Sequence, residues 1–546
     1  MPESSSKSSP AKRSLTGIAG IVAIATLVSK VFGLVREQAI AAAFGVGPVV
    51  NAYAYAYIVP GFLLILLGGI NGPFHSALVS VLSRRDRSEA APLVEAVTTL
   101  VGSLLLVVAI ALIFFAGFFI DLVAPGLSQT PEGVQVRSVA ILQLRIMAPM
   151  AVLAGAIGIG FGTLNASDRY WLPSVSPLFS SLTVIVGLGG LVWYLGDDLL
   201  DPSAARLGGI VLAACTLLGA VWQWLMQLQA QWRSGMGSLR LNFNWRTPGV
   251  REVANVMAPA TLSSGMLHIN VYTDLFFASY IEGAAAAMKY ANLIVLTPLG
   301  IISNALLVPM LPVLSRLTAP ESRTDLKLRI RQGIVLSALT MLPLTAVFLS
   351  LSQPIVRLIY QRYAFDAAAT DFVTPVLMVY GLGMFFYLGR DVLVRVFYAL
   401  GDGATPFRIS IANIFLNAVL DFFLVRALAT PGLVLATIGV NITSMAMLLW
   451  ILHRRLGGLP LLDWNGTIAA LCGCSAIAAG ASWGASQLWE RVLGSEQWWL
   501  QALELGVCAG LAIALFGILV LQLRLPEMQI LTARLSPILQ RFSRRR

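Results

Sequence analysis

The chain has 546 residues, 57% of them apolar and 12% charged, with a mean hydropathy of +0.81. Soluble domains run near ~45–50% apolar and ~25% charged, and soluble cores stop growing near ~250–300 residues, so the apolar surplus must face lipid. Four cysteines exclude a disulfide scaffold, and a net charge of +11 carried by loops and tails excludes a nucleic-acid binder, so no nucleic acid is expected as a partner.

A span needs about 20 mostly apolar residues, and only helices satisfy their own backbone in lipid. Residues 1–14, rich in Ser, Pro and Lys, read as a disordered cytoplasmic tail. No small-residue cleavage site follows, and Lys30 comes soon after, so the first apolar run reads as a retained span. Fourteen runs follow in order, at roughly 15–36, 49–72, 92–120, 138–165, 172–195, 205–231, 253–281, 285–314, 330–352, 370–400, 406–427, 431–453, 464–489 and 499–523. A basic tail, 524–546, closes the chain.

Charge sidedness tests this count. With the N-terminus inside, the tails and the even-numbered loops hold 25 of the 37 Lys and Arg, among them Arg84, Arg85 and Arg87, the set from Arg316 to Arg331, and six from Arg524 on. The outer loops carry Asp197, Asp198 and Asp201. Both termini are therefore expected in the cytoplasm.

Segments of the first half recur in the second. Val81-Leu82-Ser83-Arg84 returns as Val313-Leu314-Ser315-Arg316, 232 residues on. The loop from Leu164 to Pro173 returns as Leu400 to Pro406, with 233 residues between the prolines, and Pro60 returns as Pro298. Spans 1–6 (15–231) and 7–12 (253–453) thus read as two six-helix lobes related by a pseudo-two-fold along the membrane normal, with spans 13–14 (464–523) added. Such halves suit alternating access around a central cavity.

No catalytic or nucleotide motif is visible. None of the five lysines follows a glycine, so a Walker A loop is absent. His75, His268 and His453 lack metal-ligand spacing, and the four cysteines lie in apolar runs as packing residues. Neither an enzyme, a cofactor nor a metal is expected. Ionisable groups inside spans are costly and mark pathways or partners. Lys30 and Arg36 lie about 120° apart on a regular helix, with Gly33 between them to permit a bend. Arg36 reads as an uncompensated cation on the wall of a cavity for an anionic substrate, rather than as a snorkelling helix end. Asp274 has two open readings, a partner for Arg36 across the halves or an independent ion site. Asp391 is expected to pair locally with Arg395. Asp421 and Glu504 sit mid-span with no evident partner. Tyr53, Tyr55 and Tyr57 read as an interfacial aromatic belt. The stretch from Gly68 to Pro73 breaks the second span, and such a break belongs on a pathway.

With these residues in view, the chain resembles the MurJ/MviN lipid II flippases of the multidrug/oligosaccharidyl-lipid/polysaccharide exporter superfamily, over about residues 15–525. The likeness is carried by Ser29-Lys30-Val31-Phe32-Gly33-Leu34-Val35-Arg36-Glu37, Ala124-Pro125-Gly126, Phe276-Phe277-Ala278-Ser279 after Asp274, Pro354-Ile355-Val356-Arg357-Leu358 and Phe397-Tyr398-Ala399-Leu400. The resemblance implies fourteen helices and export of an undecaprenyl-pyrophosphate-linked disaccharide-pentapeptide across the bacterial inner membrane for peptidoglycan synthesis. Membrane lipids, and cell-wall synthesis enzymes, are the further partners it implies. It places Lys30 and Arg36 at cavity cations and brings in Glu37, Asn71, Asp274 and Asn292 as substrate-binding positions. The chain also departs from the proteobacterial pattern. The arginine pair of span two is replaced by apolar residues from Phe62 to Leu67, Tyr-Ala-Asp-Arg of span eight reads Tyr290-Ala291-Asn292-Leu293, and two acids are Asn51 and Asn71. Another polyprenyl-linked glycan, or a drug exported against a cation, is the alternative cargo.

Overall fold

The computed structural model describes residues 15–68, 73–167, 169–267, 269–317, 319–494 and 497–527. The expectations for the 1–14 tail, for residues 528–546 of the basic tail and for Asn71 with its Gly-rich break lie outside these residues. Among the described residues the regular structure is helical throughout, with no strand. In chain order the helices are α1 (Leu15–Phe44), α2 (Pro48–Ala56), α3 (Ile58–Gly68), α4 (Pro73–Leu82), α5 (Arg87–Phe114), α6 (Ala116–Val123), α7 (Pro131–Met147), α8 (Met150–Ala166), α9 (Trp171–Leu195), α10 (Ala205–Arg233), α11 (Val250–Leu267), α12 (Ile269–Ala278), α13 (Ala284–Ser315), α14 (Arg323–Tyr360), α15 (Ala367–Ala399), α16 (Ala404–Leu428), α17 (Thr430–Arg455), α18 (Leu461–Val492) and α19 (Trp498–Gln522).

Among the described residues ten helices are long and apolar enough to cross a membrane singly, and two bent pairs raise the number to as many as twelve. The α2–α3 pair bends by 48° and the α7–α8 pair by 44°. Proline is the cause in the first pair. Pro60 lacks an N–H and its ring crowds the carbonyl four residues back, at Ala56, where α2 stops. In the second, Pro149 stands at the break. α1, by contrast, runs unbroken through Gly33, so the bend that glycine permits is not used and Lys30 and Arg36 stay on separate sides of the helix.

The chain forms two compact units. The first contains 1–43, 56–120 and 138–265. Its core joins α3, α4, α5 and α8 through Leu66, Leu67, Leu78, Val81, Leu93, Val97, Leu105, Ala154 and Ile159, and takes in Met236 and Val253. α9 and α10 approach through small residues, as helices must where lipid supplies no hydrophobic drive. A Cβ on Gly219 would lie 2.8 Å from Ser180 Cα, and Cys215 Sγ fills the notch at Gly187. That is the packing role expected of Cys215. At the end of α8 the Arg169 N–H donates to Leu164 O at 2.9 Å.

The second unit contains 266–546 and also 44–55 and 121–137, which come from the first half of the sequence. α14 and α15 form its centre: Phe348 packs against Gly381, whose carbonyl accepts from Thr345 Oγ1 at 2.9 Å. Ser475 of α18 donates to Leu342 O of α14 at 2.7 Å. At the end of α15 the Asp402 N–H donates to Phe397 O at 2.9 Å. Donor and acceptor here are each 233 residues beyond Arg169 and Leu164, the offset already seen between the two prolines. The repeated sequence therefore builds the same helix ending twice.

Tyr53 and Tyr55 are buried, at 4% and 2% exposure, and form no interfacial belt. They belong to α2, a short helix enclosed within the second unit, so their alternation with alanine reflects packing rather than contact with headgroups.

Candidate functional site

In the first unit Arg36 Nη2 donates to Glu37 Oε1 at 2.7 Å. The arginine side chain is 28% exposed and the glutamate 7%. Arg36 is thus not the uncompensated cation expected from sequence, because its immediate neighbour in the chain supplies the counter-charge. Tyr57, at the break between α2 and α3, has its ring seated over Gly61. Lys30, two turns earlier on α1, is exposed. The unit therefore presents a guanidinium tethered by its neighbour and, on the same helix, an exposed ammonium. That set suits a phosphate, which takes bidentate contacts from arginine and point charge from lysine.

The second unit holds the polar network. Asp274 of α12 is 8% exposed and Asp421 of α16 fully buried. Asn417 Nδ2 donates to Asp274 Oδ1 at 2.6 Å and to Asp421 Oδ2 at 2.8 Å, while Thr437 Oγ1 donates to Asp274 Oδ2 at 3.0 Å. Asp274 and Asp421 thus accept from one and the same amide nitrogen. Two carboxyl groups this close cannot both stay bare anions in a low dielectric, so a proton or a cation must lie with them. The donor set consists of carboxylate, amide and hydroxyl oxygens with no sulfur or imidazole, the chemistry of a hard cation or a proton rather than of zinc or iron. Asp421, unexplained by sequence alone, belongs to the same site.

The network extends outward. Asn441 Nδ2 donates to Thr437 O at 2.7 Å, and Arg390 Nη1 reaches Asn441 Oδ1 at 3.5 Å. Asp391 sits 4.0 Å from Arg390. The expected pairing of Asp391 with Arg395 is thus replaced by contact with the adjacent arginine, which stands between Asp391 and the Asn441 amide. Glu504 has a different role: Ser486 Oγ donates to its Oε1 at 2.6 Å, tying α18 to α19.

At one end of the second unit, α13 starts against residues 44–55. The Ala286 N–H, one of the N-terminal amides a helix cannot satisfy internally, donates to Asn51 Oδ1 at 3.2 Å. Tyr290 Oη donates to Gly45 O at 2.9 Å, and Tyr360 Oη to Tyr290 O at 3.3 Å. The Tyr290, Tyr360 and Phe365 rings meet at 4.9–5.5 Å. The Lys289 ammonium stands 4.8 Å from the centre of the Tyr53 ring. Beside these, Gly126 N–H donates to Ser279 Oγ at 3.0 Å. Asn292 is half-buried two residues past Tyr290. Sequence alone assigned no role to Lys289 or Tyr290, although the only lysine inside spans 7–14 was a usable signal for the first of them.

These features define a polytopic membrane transporter: a helical bundle that carries ion-paired and hydrogen-bonded charges within its spans. A solved structure described as the lipid II flippase MurJ in an inward closed conformation shares the fold, with a TM-score of 0.72 at 20% identity over 91% of this chain and 98% of that one. An inward-facing multidrug resistance MATE family transporter of the MOP superfamily follows at 0.60, with 14% identity over 80% and 98%. The family profile described as "Lipid II flippase MurJ" matches residues 40–501. "Probable lipid II flippase MurJ" of Synechocystis sp. is 60% identical over 530 residues, which are 97% of this chain and 98% of that protein. The chain belongs to the lipid II flippase MurJ family.

Proposed function

We propose that this protein moves lipid II, the undecaprenyl-pyrophosphate-linked disaccharide-pentapeptide of peptidoglycan synthesis, from the inner to the outer leaflet of the bacterial cytoplasmic membrane. It is a transporter, not an enzyme. The observation that carries the reading is the 60% identity to the Synechocystis protein along almost the full length of both chains. The decisive experiment is complementation: expression should rescue a strain depleted of its own lipid II flippase, and lysis despite membrane insertion overturns the reading.

Fourteen spans follow if α1 and the α11–α12 pair are added to the twelve counted above, with both termini cytoplasmic. Two six-helix lobes, 15–231 and 253–453, with the pair 464–523, are supported by the Leu164–Arg169 and Phe397–Asp402 bonds, which recur at one offset. Lys30 and Arg36, with Glu37 orienting the latter, hold the pyrophosphate. The Asp274–Asn417–Asp421–Thr437 cluster takes up the proton or cation whose entry and release drives the cycle. The contacts of residues 44–55 with α13 close the outer side and have to break for release. Cell-wall synthesis enzymes receive the cargo there.

A further inference from the structure

α13 and α14 part company toward the end of α13. Pro309 and Pro312 remove two N–H donors from the helix there. Between the two helices lies a crevice in two connected parts. The mouth, about 310 Å³, is lined by Val313, Arg316, Leu317, Asp325, Leu328 and Arg329. The deeper part, about 210 Å³, shares Val313 and Arg329 and runs down past Leu306, Pro309, Met310, Leu336 and Thr340.

Charge and depth follow one pattern. Two arginines and one aspartate ring the mouth, leaving it net cationic, while the deep part, below the Arg329 it shares with the mouth, is apolar apart from Gln332 and Thr340. Gln332 Oε1 accepts one of the five guanidinium N–H donors of Arg329 at 2.9 Å and so orients the fork. From Arg316 to Leu306 is ten residues, or ~15 Å along a helix, which is half of a ~30 Å hydrocarbon core. The mouth therefore lies at headgroup level when the deep end is near mid-membrane. Met310 is seated on Gly333, where a Cβ would meet its Cε at 2.5 Å, so the absence of a side chain at 333 sets how far the two helices close over this floor. The basic run from Arg316 to Arg331, which covers the loop after α13 and the first turns of α14, faces the cytoplasm in the topology proposed above, on which the leaflet assignment rests.

We propose that this crevice is a binding site for one anionic glycerophospholipid of the inner leaflet, with the phosphate between Arg316 and Arg329 and an acyl chain lying over Met310 and Leu336. A free anion would use the arginines but not the apolar floor, and a neutral lipid the floor but not the arginines. Basic pockets between spans on the cytoplasmic side are suited to such headgroups. Neither arginine belongs to the pyrophosphate or ion sites above, so the lipid is a resident rather than the cargo.

The test is native mass spectrometry of the purified full chain, titrated separately with dioleoyl phosphatidylglycerol, dioleoyl phosphatidylcholine and undecaprenyl phosphate. The wild type should bind the first phosphatidylglycerol at least about 10-fold more tightly than phosphatidylcholine. Arg316→Gln with Arg329→Gln should erase that preference, Arg316→Lys with Arg329→Lys should keep most of it, and undecaprenyl phosphate binding should not move. Because this reads binding in detergent, it stands or falls independently of topology and of transport. Equal phosphatidylglycerol binding by wild type and the double Gln variant overturns the proposal. So does a loss of undecaprenyl phosphate binding in that variant, which would assign the crevice to the transported lipid instead.

Discussion

Asn417 spans the two acids of the second unit, its one amide nitrogen 2.6 Å from Asp274 and 2.8 Å from Asp421. Both protons of that nitrogen are committed, so a change at either carboxylate reaches the other through a rigid planar group. The arrangement couples α12 to α16, and through Thr437 to α17. Filling and emptying the site therefore alters how three helices are tied.

Asp421→Asn should cut export at least about 10-fold with membrane levels unchanged, since one charge-assisted hydrogen bond is worth ~1.5–3 kcal/mol and tenfold is ~1.4 kcal/mol. Asp274→Asn should do the same. Rescue of a flippase-depleted strain, scored across sodium concentration and pH, is the measurement. Full rescue by Asp421→Asn under every condition would remove this site from the coupling scheme.

Tyr290→Phe removes the hydroxyl that donates to Gly45 O, a loss of ~0.5–1.5 kcal/mol. It should shift the balance away from the closed arrangement about 2- to 10-fold. Gly45→Ala should shift it further, because Gly45 has φ +56° and a Cβ there would lie 2.4 Å from Ala364 O. The readout is the labelling rate of a cysteine at Ala285, buried at 1% exposure, in a chain whose own four cysteines have been replaced. Rates equal to the parent's would show that these contacts do not hold the closed state.

Topology is tested at two serines. Cysteines at Ser203 and Ser322 should react with an impermeant thiol reagent from opposite faces, Ser203 from outside and Ser322 only after permeabilisation. Labelling of both from one side defeats the fourteen-span arrangement.

Asp402 sits in the loop between α15 and α16, where Thr405 donates to it twice, from Oγ1 at 2.6 Å and from N–H at 3.0 Å, and Arg455 Nη2 approaches to 2.7 Å. The Thr405 bonds foremost, with Arg455 adding to them, hold its carboxyl below the usual carboxylate range. A depressed pKa in the folded state stabilises above the unfolded value of ~3.9 and is lost as pH falls through the folded value. Asp402→Asn should therefore cost about 1 kcal/mol, the worth of a lost cap, at any pH from 5 to 8. The difference from wild type should shrink below about pH 4. Thermal unfolding in detergent at pH 7 and pH 3.5 checks both halves of this expectation, and an equal difference at the two pH values contradicts it.

What was legible in the sequence was whatever obeys a one-dimensional rule. Span positions follow from run length, and the Leu164 and Phe397 helix endings from a repeat with one offset. Burial of Tyr53 and Tyr55 was not legible, because alternation with alanine looks the same at an interface and inside a protein. The Asp421 site was hidden for a related reason. Its partners Asp274, Asn417 and Thr437 lie on three helices as much as 163 residues apart, and a lone mid-span acid does not announce them. Arg36 shows the opposite failure: its counter-charge was the very next residue, but neighbours on a helix are ~100° apart and do not normally face each other.

That pairing sharpens what substitution of Arg36 should do. Glu37 is nearly buried and takes one arm of the guanidinium, which fixes the orientation of the planar fork, as a headgroup-binding cation requires. Arg36→Ala removes the cation and the ion-pair partner of a buried carboxylate. Export should fall about 10- to 100-fold, from the ~1.5–3 kcal/mol of a hydrogen bond to a charged group. Part of that loss comes from a buried Glu37 charge deprived of its ion pair, so the double change Arg36→Ala with Glu37→Gln should recover protein stability without restoring export. Arg36→Lys keeps the charge but loses the fork, and should recover export only in part. Glu37→Gln alone should leave the cation in place but less constrained, with a milder loss of a few-fold. All four variants can be scored by rescue of flippase-depleted cells alongside membrane protein levels. If the double variant exports at the wild-type rate, Arg36 serves only to neutralise Glu37, and the headgroup must be held by Lys30 or by other residues.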